Sequence, residues 1–554
     1  MKLGTWAAAA ALALGVCACA ASQGIEAAPD APAAFAHEPL SAPALMAHVE
    51  RLASDEFEGR SPGTRGEELT IAYLSQAFAA AGLQPGANGS WVQEVPLATA
   101  EVTNNPTLTL GEHSYTYGSD FVAWTKRQDS PHIAIEDAEL VFVGYGVVAP
   151  ENDWNDYAGL DMRGKIAVIL INDPDFDTGD DRGFGGRAMT YYGRWTYKYE
   201  EAARQGAAGA IIIHETDAAS YPWAVVESSW TGPQHDLVLA DQGRDRVQVE
   251  GWVTNEIGRA LFARAGLDFD RERARAQNRG FTPVSLNTTG SIALHTEIET
   301  HMSRNVIGVL PGRGRPDEAV LYGAHWDHLG RCTPVDGDDI CNGARDNATG
   351  TAGLIELARR FAADGPAERS VAFLAFTAEE SGLLGSAYYA TEPVFAPADT
   401  AAMINMDGLS TVGPAREMSV VGYGQNNLDQ MLTRAAEAQG RRTEPEAFPE
   451  RGSFYRSDHF NLAKIGVPVL YAGSGIDLVD GGVQRGRALA QEYTAQRYHK
   501  PTDEITPDWD MSGATLDLEL LYAVGREVAD SDIWPEWSET SEFRAARDQS
   551  RAGR

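Results

Sequence analysis

The run EAVLYGAHWD (residues 318–327) decides the fold. It is apolar from Ala319 to Ala324 and then turns abruptly to His325 and Asp327. Similar apolar runs follow one another from Ser303 onward: NVIGVLPG (305–312), SVAFLAFTAEE (370–380), AAMINMDG (401–408), MSVVGYG (418–424) and VPVLYAG (467–473). Helical stretches lie between them, ATGTAGLIELARRFAA (348–363), SGLLGSAYYAT (381–391) and LDQMLTRAAEAQG (428–440). Strand alternating with helix predicts an α/β fold, a doubly wound and mostly parallel sheet with helices on both faces. A last helix near Ala514 to Asp530 closes it.

Toward the N-terminus the pattern changes. Glu136 to about residue 295 holds its own strands, AELVFVGYGVV (138–148), GKIAVILIND (164–173) and GAIIIHE (209–215), with the helix YKYEEAARQGA (197–207) among them. A strand near Val247 to Val253 and a helix from Asn255 to Ala265 complete a compact, smaller α/β unit, inserted into the larger one. His214 and His235 stand singly there and read as packing or surface residues. Residues 44–135 form the N-terminal part of the larger domain, with helical stripes at Leu45, Val49, Leu52 and at Leu69 to Phe78, and the strand SWVQEVPLATAEV (90–102). Residues 296–535 form its remaining part, and 536–554 read as a polar tail.

The chain has 554 residues, 79 acidic against 45 basic, and a formal charge of −34. That length predicts more than one domain. That charge excludes a nucleic-acid partner, since phosphate binding needs a basic face. Lys2 and the apolar run Trp6 to Val16 suit a signal peptide over residues 1–19, too short to span a bilayer. Val16-Cys17-Ala18-Cys19 resembles a bacterial lipobox with Cys19 as the acylated residue, although Cys17 fills its middle. Lipid anchoring through Cys19 and plain secretory cleavage both stay open. Either exports the protein, to the periplasm as a lipoprotein or to the medium, and the only membrane contact expected is that anchor. Residues 20–43, rich in Ala and Pro, read as a tether. Cys332 and Cys341 flank TPVDGDDI, and in an oxidising compartment they most simply form one disulfide.

The polar residues fall at telling places. His325 and Asp327 end one strand, Glu379 and Glu380 a second, Asp407 a third. In doubly wound sheets ligands bind outside the carboxyl ends of the strands. Asp346 opens a helix in GARDNATG, and His499 lies on a loop in YHKPTDE. His325, Asp346, Glu380, Asp407 and His499 supply two imidazoles and three carboxylates. These suffice for two divalent ions with one carboxylate shared, and the mixed nitrogen and oxygen donors suit Zn²⁺. Two ions about 3.5–4 Å apart can share one water and lower its pKa. Glu379 is then the spare carboxylate that moves the proton. Asp327 orients His325.

In this order, HxD, GxxDN, EE, MDG and YHxxxD resemble peptidase family M28, co-catalytic zinc peptidases that include aminopeptidases. LASDEFEGRSPGTRGEE (52–68), SRNVIGVLPG (303–312) and RSDHFNLAKIGVPV (456–469) look like the bacterial aminopeptidase branch. The insert resembles a protease-associated (PA) domain. The resemblance implies a zinc-dependent exopeptidase fold, two Zn²⁺ per chain and peptide substrates cleaved at the N-terminus. It implies that His325 and Asp407 bind one zinc, Glu380 and His499 the other, with Asp346 bridging and Glu379 as general base. Arg345 departs from the acidic or neutral residue expected before the bridging Asp. Tyr455 is a candidate for the oxyanion or for a pocket wall. Ser457, Asp458 and His459 are candidates for the substrate pocket, and His328 reads as a hydrogen-bonded structural histidine.

Other readings on this fold are a receptor that has lost catalysis, a single-zinc glutaminyl cyclase, and a carboxypeptidase for acidic peptides. The last needs an arginine cluster to hold the substrate carboxylate; Arg451 and Arg456 stand near the pocket motif. The preferred N-terminal residue and the oligomeric state do not follow from the sequence.

Overall fold

The computed structural model describes residues 40–553. The expected signal peptide, the Cys19 anchor and most of the tether lie outside them. Helix α1 (Ala42–Leu52) starts inside the expected tether: Ser41 caps it, accepting from the Ala44 amide at 3.4 Å, and a proline sits in its first turn. Helix α2 (Arg65–Ala80) and strand β1 (Val92–Val102) follow.

The second, smaller layer comes next. Its strands are β2 (Thr107–Leu110), β3 (His113–Thr116), β4 (Phe121–Trp124), β5 (His132–Phe142) and β6 (Ile166–Leu170). After helix α3 (Trp195–Arg204) come β7 (Gly209–Ile213), β8 (Gln234–Leu237), which crosses over to pair antiparallel with β1, then β9 (Val249–Val253) and helix α4 (Asn255–Arg264). Parallel pairing runs β5-β6-β7-β9, and β4 adds antiparallel to β9. Because β2, β3 and β4 are bonded into this sheet, the insert begins at Thr107 rather than at residue 136. TLTL and HSYT are too short and too polar to declare which sheet they join.

Strand β10 (Val284–Leu310) belongs to both layers. Its first half pairs with β5 in the insert; residues 296–306 pair antiparallel with β1, and residues 306–310 with the larger sheet. That sheet consists of β11 (Arg315–His325), β14 (Arg369–Phe376), β15 (Thr400–Asn405), β16 (Glu417–Val421), β17 (Arg442–Pro445) and β18 (Val469–Ser474). A small hairpin, β12 (Gly330–Val335) and β13 (Asp338–Cys341), stands apart, closed by the Cys332–Cys341 disulfide. The centre is parallel in the order β14-β11-β15-β18, and β16 turns antiparallel at one side.

Helices α5 (Thr349–Asp364), α6 (Leu384–Thr391), α7 (Leu428–Ala438), α8 (His459–Lys464), α9 (Gly482–Gln496) and α10 (Ser512–Asp530) connect and cover it. The period-two rule shows in β14. Val371, Phe373 and Ala375 enter the core under α1, α5 and α10, while Ala372, Leu374 and Phe376 enter the one under α6 and α8. Each such buried large side chain contributes about 1.5–3 kcal/mol. A strand with no polar face is therefore what a sheet covered on both sides requires.

Residues 536–553 are not a loose tail. Trp537 and Phe543 are buried in the second core, and helix α11 (Arg544–Ser550) places Arg547 against Pro397 and Thr400 carbonyls at 2.8 and 3.1 Å. No helix among the described residues is long and apolar enough to cross a membrane.

Candidate metal centre

Three strand ends deliver the expected donors to one place. His325 is the last residue of β11, Asp407 follows β15, and Glu379 and Glu380 lie on the turn after β14. That turn needs left-handed backbone at Ala378 (φ 51°) and Leu383 (φ 63°), the kind of strain that collects at functional sites. Asp346 comes from the turn before α5, and His499 from the loop after α9.

The two oxygens of Asp346 face different imidazoles: Oδ1 is 3.3 Å from His325 Nε2 and Oδ2 is 3.6 Å from His499 Nε2. Asp407 Oδ1 stands 3.5 Å from His325 Nε2, and Glu380 Oε2 stands 3.0 Å from His499 Nε2. Glu379 Oε2 is 3.9 Å from His325 Nε2. Donor atoms of His325, Asp346 and Glu380 lie within 4.8 Å of one another, as do those of His325, Glu379 and Asp407. The structure thus brings all five expected donors and Glu379 together.

Neighbours hold these groups in place. The amides of Glu379 and Glu380 donate to the two oxygens of Asp327, at 3.0 and 3.3 Å, so Asp327 fixes the acidic turn as well as standing 3.7 Å from His325 Nδ1. Asp503 accepts from the amides of Arg345 and Asp346 at 3.3 and 3.1 Å. His328 Nδ1 lies 2.5 Å from Glu380 Oε1, and its Nε2 is buried without a hydrogen bond. The YHxxxD spacing carried a hint of Asp503. Nothing local announced Arg60, whose buried guanidinium donates to the carbonyls of Leu52, Trp326, Asn342 and Gly343 at 2.7–2.9 Å.

Burial raises the proton affinity of Glu379, Glu380 and Asp346, and the neighbours then divide them. Burial lifts Glu379 well above the usual carboxylate range, more than His325 offsets. Burial also acts on Glu380 and Asp346, but His499 pulls Glu380 down to about 2, and His325 and His499 pull Asp346 well below its ordinary value. Burial lowers His325, yet Glu379, Asp346 and Asp407 overcome it and hold it well above the usual imidazole range.

A divalent cation fits this arrangement. Nε2 of His325 and of His499 are buried and make no hydrogen bond, although carboxylate oxygens surround them. Lone pairs from imidazole and carboxylate aimed at common points, with acids in excess, are the donor chemistry of a Zn²⁺ site.

Of the expected pocket residues, Asp458 lies in the field of His325, Asp407 and Glu379, and burial raises its carboxyl to about 7. Tyr455 is buried and its hydroxyl faces Glu542 Oε1 at 3.4 Å, so it is a packing residue and not an oxyanion donor. Ser457, Asp458 and His459 are fully buried; Ser457 accepts from Asn405 at 2.8 Å, and burial pushes His459 down to about 3. The Tyr471 hydroxyl, on β18, donates to the Asp407 carbonyl at 3.3 Å. His214 and His235 bond to the Tyr221 carbonyl and to Thr99, as packing residues do.

Fold and site together define a class: an α/β domain carrying a histidine–carboxylate cluster at the carboxyl edge of its parallel strands. Residues 305–523 match the model of Peptidase family M28. Over 102 residues the chain is 40% identical to a "Probable zinc metalloprotease" of Pyrenophora teres f. teres (strain 0-1), covering 18% of this chain and 22% of that protein. Over 88 residues it is 35% identical to "Aminopeptidase YwaD" of Bacillus subtilis (strain 168), covering 16% of this chain and 17% of that one. The chain thus matches about a fifth of the length of these curated relatives. In fold it is similar to the aminopeptidase from Aneurinibacillus sp. strain AM-1, with a TM-score of 0.52, 21% identity, and coverage of 89% of this chain and 95% of that one.

Proposed function

We propose that the protein is an exported dizinc aminopeptidase that removes N-terminal residues from peptides. The observation that carries this reading is Asp346, whose two oxygens face His325 at 3.3 Å and His499 at 3.6 Å. One carboxylate between two imidazoles, with Asp407 beside the first and Glu380 beside the second, is suited to two ions with Asp346 in common. Zinc, when bound, supplies Lewis acidity that polarises the scissile carbonyl and makes water a better nucleophile at neutral pH. The chain does the rest. The Glu379 carboxylate, which makes no side-chain hydrogen bond among the described residues, accepts a proton from the attacking water and gives it to the leaving amine nitrogen. Asp327 holds its backbone so that the carboxylate faces the cluster.

The names of the matched relatives support the peptidase reading, and the disulfide suits an oxidising compartment outside the cytoplasm. The full chain, purified, is expected to hold about two zinc ions, to cleave leucyl-p-nitroanilide, and to lose that activity to a chelator and regain it with zinc. Activity that survives complete removal of metal would overturn the reading.

A further inference from the structure

A second cluster lies beside the metal centre and takes no part in it. Arg194 precedes α3 in the insert, while Arg451 and Arg456 lie on the loop leading to α8. Insert and larger domain meet here: the Met189 amide donates to the Pro449 carbonyl at 3.1 Å, Ser220 Oγ to the Glu450 carbonyl at 3.4 Å, and Tyr191 packs on Phe460 at 5.0 Å.

Among the described residues, the side chains of these three arginines donate no hydrogen bond and form no ion pair, in a chain where acids outnumber bases 79 to 45. Nε of Arg194 and Nε of Arg456 are both buried without a partner. Arg456 lies over the Tyr221 ring at 5.9 Å and Arg451 over Phe448 at 4.3 Å. Burial lowers the Arg194 guanidinium, and Arg456 beside it lowers it further.

Tyr498 joins the two clusters. Its ring stacks on His499 at 3.8 Å and stays 38% exposed, and its hydroxyl lies in the field of Asp346 and Glu380 as well as of Arg456. Arg456 is followed by Ser457, whose hydroxyl accepts at 2.8 Å from Asn405, two residues before Asp407, so Arg456 leaves the chain close to the metal centre. Like charges brought together and partly stripped of water are costly unless an anion joins them. A planar guanidinium pair is well matched to a carboxylate.

We infer that Arg194 and Arg456, with Arg451 at their rim, receive a carboxylate of the peptide on the leaving side of the scissile bond. This rests on the aminopeptidase reading, in which the residue removed carries an ammonium group that the guanidiniums repel. The carboxylate can be the C-terminus of a dipeptide or the side chain of an acidic second residue.

The test compares kcat/KM of the zinc-loaded full chain for Leu-Gly against Leu-Gly amide, and for Leu-Glu amide against Leu-Gln amide. At least one pair is expected to favour the carboxylate by about tenfold or more, the size of one charge-assisted hydrogen bond. The first pair reports the C-terminus, the second the side chain. Arg456→Met and Arg194→Met are each expected to bring that ratio close to one, mainly through KM, and Arg456→Lys to restore part of it. If a methionine variant does not fold, the wild-type ratios alone decide. A protein that cleaves leucyl-p-nitroanilide but shows no preference in either pair overturns this inference and leaves the aminopeptidase reading standing. A protein that cleaves no substrate with a free amino terminus overturns both.

Discussion

Glu379 and Glu380 are neighbours in the chain with opposite proton affinities. Burial governs Glu379 and lifts it; His499 and His328 reverse the same effect at Glu380. One carboxylate is therefore held charged beside the imidazoles, and the other is poised to exchange a proton. Glu379→Gln keeps the shape but removes the acceptor, so kcat is expected to fall by about 10²–10⁴-fold. Zinc content, read by metal analysis, should stay at the wild-type level; full turnover in this variant would mean that another group carries the proton. His325, Glu380 and Asp407 were legible because each interrupts an apolar run at a strand end, where chance polar residues are few; Asp346 and His499, at a helix start and on a loop, were legible only through the order of the motifs. The orientation of Tyr455 was not, because its partner Glu542 is 87 positions away and nothing in the run SFYRSDH points to it.

At the scale of elements, Arg60 shows what spacing cannot reveal. EGRSPGTRG reads as a loop, and Arg60 sits in it with left-handed backbone (φ 52°). Its guanidinium ties the end of α1 to the residues that follow β11 and to the turn that carries Asp346. The Trp326 acceptor lies 266 positions away. Burial lowers Arg60 to about 10, and Asp327 and Asp503 work against that shift. Arg60→Met leaves four carbonyls without their donor, and hydrogen bonds to a charged group contribute about 1.5–3 kcal/mol each. The variant is expected to lose at least about 3 kcal/mol in urea unfolding and to bind zinc more weakly. Wild-type values for both would show that the backbone alone holds these turns. The alternation of strand and helix was legible at this scale, since a sheet covered on both faces writes itself as unbroken apolar runs. The start of the insert was not, because hydrogen-bond partners, and not composition, decide which sheet a four-residue strand joins.

For the whole molecule, the last residues act as a buttress. Trp537 donates to the Gly466 carbonyl at 3.0 Å and packs with Phe543 behind β14. Their anchors are scattered through a polar stretch without periodicity, so the sequence hides them. Truncation after residue 535 is expected to cost about 3–5 kcal/mol, the scale of removing one large core aromatic, and to lower the melting temperature by several degrees. An unchanged melting curve would return these residues to the status of a tail. The strand shared by both layers has a consequence in time. β1 finds its partner on β10 roughly 200 residues later in the chain, with the whole insert between them. In a chain appearing N-terminus first at about 5–20 residues per second, β1 waits some 10–40 s for that partner. During that interval its edge is open to whatever strand arrives first, and completing the insert ends the exposure.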